Sequence, residues 1–374
     1  MSPTPVTFAI PAKPTSYSWE ATSEAVAARY GLPLEAIERF DLNTVTTPPA
    51  LADRMIRAGD FQIPVSEYPP SDYRGLIEAA AARYGCEPSE LLVGAGADEI
   101  LDLIGKAFIP QGGRAIVPTP TYAMFGVVTS QRLASVVPVP RLRGEGWAID
   151  GPGIRAAQPA DVIWLCSPNN PTAMPEPDGA IAELLRGLLA DADAGGRPAP
   201  VVVLDEAYAE FVGGSLAALR FEYPRLVVVR TLSKAYAIAG LRVGFALARP
   251  EVIEALAVYR PPGSVSVVSV AVGEALLRAD DVARATVDRI GPERARFAAA
   301  LSDAGWTVLP SRTNFLLVDL GTPERAAVVT EGLLRRGLVP RTYPADHPLA
   351  ACLRLTVRDV DQDDRLIAAA HELG

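Results

Sequence analysis

Histidine, cysteine and surplus positive charge are all scarce in this chain, and each shortage removes a class of function. A histidine-built metal site or a Ser-His-Asp hydrolase needs more than His347, in a loop, and His371, near the end of the last helical stretch. No metal is expected. Cys86, Cys166 and Cys352 are scattered and odd in number, which argues against a disulfide framework and suits a reducing compartment. Lysine and arginine number 35 against 44 aspartates and glutamates, a formal charge of -9, with no basic stripe. Neither nucleic acid nor an anionic membrane surface is an expected partner. Charges or proline break the apolar runs before the ~20 residues needed to cross a bilayer. The first residues, Met1 to Phe8, lack the charged region and apolar core of an export signal, so a cytoplasmic location is expected.

What is present is a set of apolar runs that end in chemistry. Val201 to Leu204 leads into Asp205, Glu206 and Tyr208, and reads as a central parallel strand that brings Asp205 to the carboxyl edge of a sheet. Ligands of open α/β sheets sit at that edge. A carboxylate there can hold a pyridinium nitrogen protonated, although Asp205 taken alone suits a helix N-cap equally well. Val162 to Cys166 is a second such run, ending in the turn Ser167-Pro-Asn-Asn170-Pro-Thr172. Asn and Pro punctuate loops everywhere, but the Asn170 amide can donate to a ring oxygen if the strand ends converge. The third run, Leu226 to Arg230, leads into Thr231, Ser233 and Lys234, with Arg242 eight positions on. A lone lysine in a loop is ordinarily solvated; buried beside cations, it loses its proton and can form a Schiff base with a phosphate-bearing aldehyde. That combination points to pyridoxal 5'-phosphate. Gly94-Ala95-Gly96-Ala97-Asp98-Glu99 opens a helix with small residues, and free N–H groups there receive an anion.

Ser167-Pro-Asn-Asn-Pro-Thr172, Leu204-Asp-Glu-Ala-Tyr208 and Thr231-Leu-Ser-Lys-Ala235, with the downstream Gly240-Leu-Arg-Val-Gly244, resemble the signature blocks of fold-type I, class I/II pyridoxal-phosphate aminotransferases. The likeness is greatest to the histidinol-phosphate aminotransferases and runs from about residue 12 to residue 373. It implies an α/β fold: a large domain with a mostly parallel sheet covered by helices, plus a smaller α+β domain. It implies that Lys234 holds the cofactor covalently and acts as general base, that Asp205 pairs with the pyridine nitrogen, and that Asn170 and Tyr208 hold the ring hydroxyl. Tyr122 would stack on the ring. Thr231, Ser233, Arg242 and the amides around Ala95, Gly96 and Ala97 would grip the phosphate. Tyr68 would reach the phosphate of the facing subunit, which implies a homodimer with shared active sites. Arg354 would bind the substrate carboxylate, a task for which a planar guanidinium is suited. The reaction implied is transfer of an amino group from a small-molecule donor to a 2-oxo acid such as 2-oxoglutarate.

The family's usual Asn-Glu-Asn-Pro turn is here Asn43-Thr-Val-Thr-Thr-Pro-Pro49, without its acidic residue. Asn43 and Tyr17, with Arg354 and Asn170, are expected to touch the substrate, and the altered turn implies either a changed specificity or a pocket rebuilt from Tyr17, Trp19 and Glu20 of the N-terminal arm. Histidinol phosphate or an aromatic amino acid as donor, a decarboxylase of the threonine-phosphate type, and a cofactor-binding sensor all remain open on the sequence. The expected divisions are residues 1–50, a proline-rich arm and part of the small domain; 51–274, the large cofactor-binding domain; and 275–374, the C-terminal small domain. A helix over residues 20–30 closed by Gly31, a helix over 73–84 and a loop over 191–200 complete the reading.

Overall fold

The computed structural model describes residues 16–18, 20–59 and 61–374. The expected start of the arm and Trp19 lie outside the described residues. Among the described residues, twelve strands follow in chain order: β1 (Glu38–Arg39), β2 (Leu91–Gly94), β3 (Arg114–Thr119), β4 (Ser135–Pro140), β5 (Val162–Cys166), β6 (Val201–Asp205), β7 (Leu226–Thr231), β8 (Gly244–Leu247), β9 (Thr307–Val308), β10 (Phe315–Asp319), β11 (Leu338–Val339) and β12 (Cys352–Thr356).

Seven of them make one sheet in the order β2-β8-β7-β6-β5-β3-β4, parallel except for β8. The fold is α/β, as the apolar runs imply. The central strands β5, β6 and β7 are buried at every position, which is why they read as unbroken hydrophobic runs rather than as alternating ones. Val202, Leu204 and Val228 pack on one face with the helices Arg74–Tyr84 and Val267–Arg278. Val201, Val203 and Val227 pack on the other with the helix Gly96–Phe108. Both faces being covered, polar chemistry is left to the strand ends.

A second, antiparallel sheet, β12-β10-β9, lies in the C-terminal part, with the helices Val282–Asp303 and Val360–Leu373 contributing to its core. The segment after residue 37 is built into this part: β1 pairs with β11, and the Thr356 amide donates to the Phe40 carbonyl at 2.8 Å. Two readings need correction. The first helix begins at Ser23 rather than residue 20, because the Thr22 hydroxyl caps it by accepting from the Ala25 amide; Gly31, at φ 67°, ends it as expected. Residues 191–194 are helical, the last turn of Ala180–Ala194, where Asp191 pairs bidentately with Arg155 at 2.7 Å; the loop starts at Gly195.

Candidate active site

Three neighbouring parallel strands release their chains at one edge of the sheet. Past β5 comes Asn170, β6 ends on Asp205, and past β7 come Ser233 and Lys234. Asn170, Asp205, Tyr208, Thr231, Ser233 and Lys234 line one cavity of about 80 Å³, which lies beside a larger pocket that also touches Lys234 and Arg354. Motifs far apart in sequence thus meet where the topology brings parallel strand ends together.

The electrostatics of this cavity are unusual. Burial, then the positive charges of Arg354 and Arg242, push the Lys234 amine down to about 8. Its Nζ donates to the Asn43 carbonyl at 3.2 Å and lies 5.7 Å from the centroid of the Tyr208 ring. Burial pushes the Asp205 carboxyl up to about 7, against one backbone N–H bond, from Ala207 to Oδ1 at 3.0 Å. A cationic N–H beside Asp205 would draw that carboxyl back to its ionised form, the behaviour of a site made for a protonated ring nitrogen.

One side of the cavity is shaped for an anion. Arg242, itself at φ 52°, packs its guanidinium against Gly96, so closely that a Cβ on Gly96 would stand 2.4 Å from Nη2. The Thr231 hydroxyl donates to Ser233 Oγ at 2.9 Å, and Arg242 Nη1 reaches the same oxygen at 3.5 Å. The helix Gly96–Phe108 points its N-terminus here, with no side chain capping it. Ala97 lines the cavity, whereas the Ala95 amide donates within its own loop, to Glu99 Oε2 at 2.6 Å. Asp98, whose side chain the sequence reading passed over, accepts from Tyr122 Oη at 2.9 Å and from Arg242 Nη2 at 3.2 Å. Its place in the first turn of a glycine-opened helix was the available signal. Being nearly half exposed, the Asp98–Arg242 pair is weak enough to be exchanged for a stronger anion.

The opposite side carries Arg354, which is 6 % exposed on β12. Nη1 donates to Asn170 Oδ1 at 2.7 Å, Nη2 donates to the Asp41 carbonyl, and Nε is buried without a partner. An orphaned buried guanidinium N–H at the edge of a pocket is a place for a carboxylate. Asn43 is buried at φ 53°, and Tyr17 stands over the entrance with its ring 6.4 Å from that of Tyr122. Glu20 is engaged by the Thr342 amide and hydroxyl at 2.8 and 2.9 Å. Arg341, which the sequence reading missed, lies between Tyr17 and Glu20, its guanidinium carbon 5.4 Å from the Tyr17 ring centroid. Asn314, also missed, donates to the Asn43 carbonyl at 3.0 Å. Neither stands in a motif; only the pairing of distant strands brings them here. Tyr68 is not brought to this cavity within the chain: it is 89 % exposed, beside Gly263.

The donor set fits pyridoxal 5'-phosphate. Gly96 lets the Arg242 guanidinium approach the helix N-terminus where a side chain would push it away, Asp205 is poised for a ring nitrogen, and Lys234 is a depressed amine within the same cavity.

Comparison with known proteins agrees. Residues 38–370 match the family model described as aminotransferase class I and II. The chain is 35 % identical over 361 residues to a histidinol-phosphate aminotransferase of Roseiflexus castenholzii, covering 94 % of this chain and 93 % of that one. It is 36 % identical to one from Thermococcus gammatolerans, over 83 % of this chain and 84 % of that one. Among solved structures, the histidinol-phosphate aminotransferase of Sinorhizobium meliloti in complex with pyridoxal-5'-phosphate superposes with a TM-score of 0.84 at 26 % identity, covering 95 % of both chains. An aspartate aminotransferase of Thermus thermophilus with maleate, at 21 % identity and TM-score 0.76 over 95 % of this chain and 97 % of that one, shares the fold.

Proposed function

This chain belongs to the class I and II aminotransferases, and on that premise we propose that it is a pyridoxal-5'-phosphate-dependent transaminase moving an amino group from histidinol phosphate, or a closely related amino donor, to a 2-oxo acid such as 2-oxoglutarate. The observation that carries the reading is the depressed Lys234 amine sharing one cavity with Asp205, Tyr208 and Asn170. When bound, the cofactor supplies an aldehyde that takes up amines and a ring that draws electrons from the carbon attached to them.

The chain's own residues do the rest. Lys234 Nζ would hold the cofactor and, as a free amine, would move a proton at the donor carbon, the work of a general base whose pKa lies near the working pH. Asp205 would keep a proton on the ring nitrogen, Tyr208 and Asn170 would hold the ring hydroxyl, and Tyr122 would pack against the ring. Gly96, Ala97, Ser233, Thr231 and Arg242 hold the phosphate, with the Ala95 amide completing the loop. Arg354 grips the donor carboxylate or phosphate, its unpartnered Nε supplying one prong of the fork. Arg341 and Tyr17 form the donor side of the pocket. On this reading residues 51–274 supply the cofactor wall, and residues 1–50 with 275–374 supply most of the substrate wall.

The exposed Tyr68 supports a homodimer in which each subunit lends this tyrosine to its partner's phosphate site. The three unpaired cysteines support a cytoplasmic setting. No helix among the described residues is long and apolar enough to cross a membrane. Single-turnover titration with histidinol phosphate, phenylalanine, tyrosine, glutamate and threonine phosphate tests the function. Conversion of the bound cofactor to its amine form by histidinol phosphate and glutamate is expected. Conversion by an aromatic donor alone moves the substrate, and release of carbon dioxide from threonine phosphate replaces transamination with decarboxylation.

A further inference from the structure

Resting on the cofactor reading above, we propose that Asn43 is a positioning residue for Tyr208: its side-chain amide fills the acceptor side of the phenol oxygen, so that the phenol's own proton is committed to the cofactor's ring oxygen. The sequence points to Asn43 as a substrate contact. The geometry gives it a different partner. Its Nδ2 donates to Tyr208 Oη at 2.9 Å, and both residues are buried, at 1 % and 3 % exposure. A phenol has one proton to give, and among the described residues no acceptor takes the one on Tyr208. The ring is braced edge-on by Phe315, with centroids 5.2 Å apart, and it lines the cavity shared with Asp205 and Lys234. An oxygen that already accepts one hydrogen bond donates more strongly, because chains of such bonds polarise one another.

The backbone of Asn43 is fixed so that its side chain has little choice. It sits in the left-handed region, its amide donates to Thr356 Oγ1 at 2.9 Å, and its carbonyl accepts from Asn314 Nδ2 at 3.0 Å and from Lys234 Nζ at 3.2 Å. Thr356 ends β12, and Asn314 immediately precedes β10. Through Asn43 the C-terminal sheet therefore sets the direction of a hydrogen bond inside the cofactor cavity.

Asn43→Gly isolates the amide, since glycine accepts the left-handed backbone and keeps the N–H and carbonyl bonds. Asn43→Asp also tolerates that backbone but offers an acceptor to the phenol, reversing the bond. The readouts are the pH titration of the visible absorbance of the reconstituted holoenzyme and the affinity of the apoprotein for the cofactor. A donor to the ring oxygen competes with the protonated lysine nitrogen for that oxygen, and so lowers the pH at which the lysine-bound cofactor loses its proton. Asn43→Gly is expected to raise that apparent pKa by roughly one unit, the scale of a hydrogen bond to a charged group. Tyr208→Phe should raise it at least as far, Asn43→Asp further than Asn43→Gly, and Asn43→Gly should add nothing in the Tyr208→Phe background. An unchanged titration with a raised KM for the donor, or an equal shift in the Tyr208→Phe background, overturns the proposal. A wild-type apoprotein that gains no visible band with pyridoxal 5'-phosphate overturns the cofactor reading instead, and this inference with it.

Discussion

The two walls of the site are written into the chain in different ways. The cofactor wall is encoded in three short blocks, each a buried strand followed at once by its functional residues: Asn170 after β5, Asp205 and Tyr208 at β6, Ser233 and Lys234 after β7. The wall proposed for the substrate is assembled from Tyr17, Arg341 and Arg354, each on a different segment and none within a motif of its own, while Asn43 and Asn314 stand behind the cofactor side. A strand end must face the crevice of a parallel sheet, so its chemistry can be read locally. A wall made of side chains from separate segments depends on how a second sheet docks.

If that division is real, damage to the two walls should separate in measurement. The largest effect is expected on the cofactor wall. Asp205→Asn removes the charge that holds the ring nitrogen protonated, and should lower kcat by about 10²–10³-fold, the scale of losing one preorganised electrostatic partner. Its visible spectrum should change as well. Arg354→Lys acts on the other wall. Loss of the fork should raise KM for the donor by about 10–100-fold, because a charge-assisted bond is worth roughly 1.5–3 kcal/mol, while the wild-type spectrum is retained. A spectrum that moved as far as that of Asp205→Asn would break the comparison.

A smaller effect joins the walls. The Lys234 amine is held at about 8 by burial first and by the Arg354 charge next. The protonated amine is no nucleophile, so capture of pyridoxal 5'-phosphate by the apoprotein should accelerate about tenfold per pH unit below 8 and level off above it. Arg354→Gln removes a positive neighbour and should move that inflection upward; stopped-flow absorbance across pH 6–10 would read both. An inflection that stayed in place would confine Arg354 to substrate binding.

Legibility follows the same line. The run Val201 to Asp205 named its strand, its burial and its catalytic candidate together, since a strand covered on both faces leaves polar groups only at its end. Lys234 and Arg242 were likewise visible as a pair. Asn43 was visible only as a residue in an altered turn. Its bonds to Tyr208, Thr356 and Asn314 span 165, 313 and 271 positions, beyond any local pattern. Glu20 was read as pocket lining and does line the pocket beside Tyr17 and Arg341, but its bond to Thr342 spans 322 positions. The segment 191–200 read as a loop, yet the helix runs on to Ala194, with Asp191 paired to Arg155 in its last turn, which is how context overrides weak propensity.

The central claim is that Lys234 is the amine that holds the cofactor. Apoprotein reconstituted with pyridoxal 5'-phosphate, reduced with borohydride and mapped by peptide mass spectrometry tests it directly, with Lys234→Ala as the control. The account predicts one phosphopyridoxyl group per chain, on the peptide containing Lys234, and none in the variant. Stoichiometric label on Lys106 or on Lys13, or equal labelling of the variant, would contradict it.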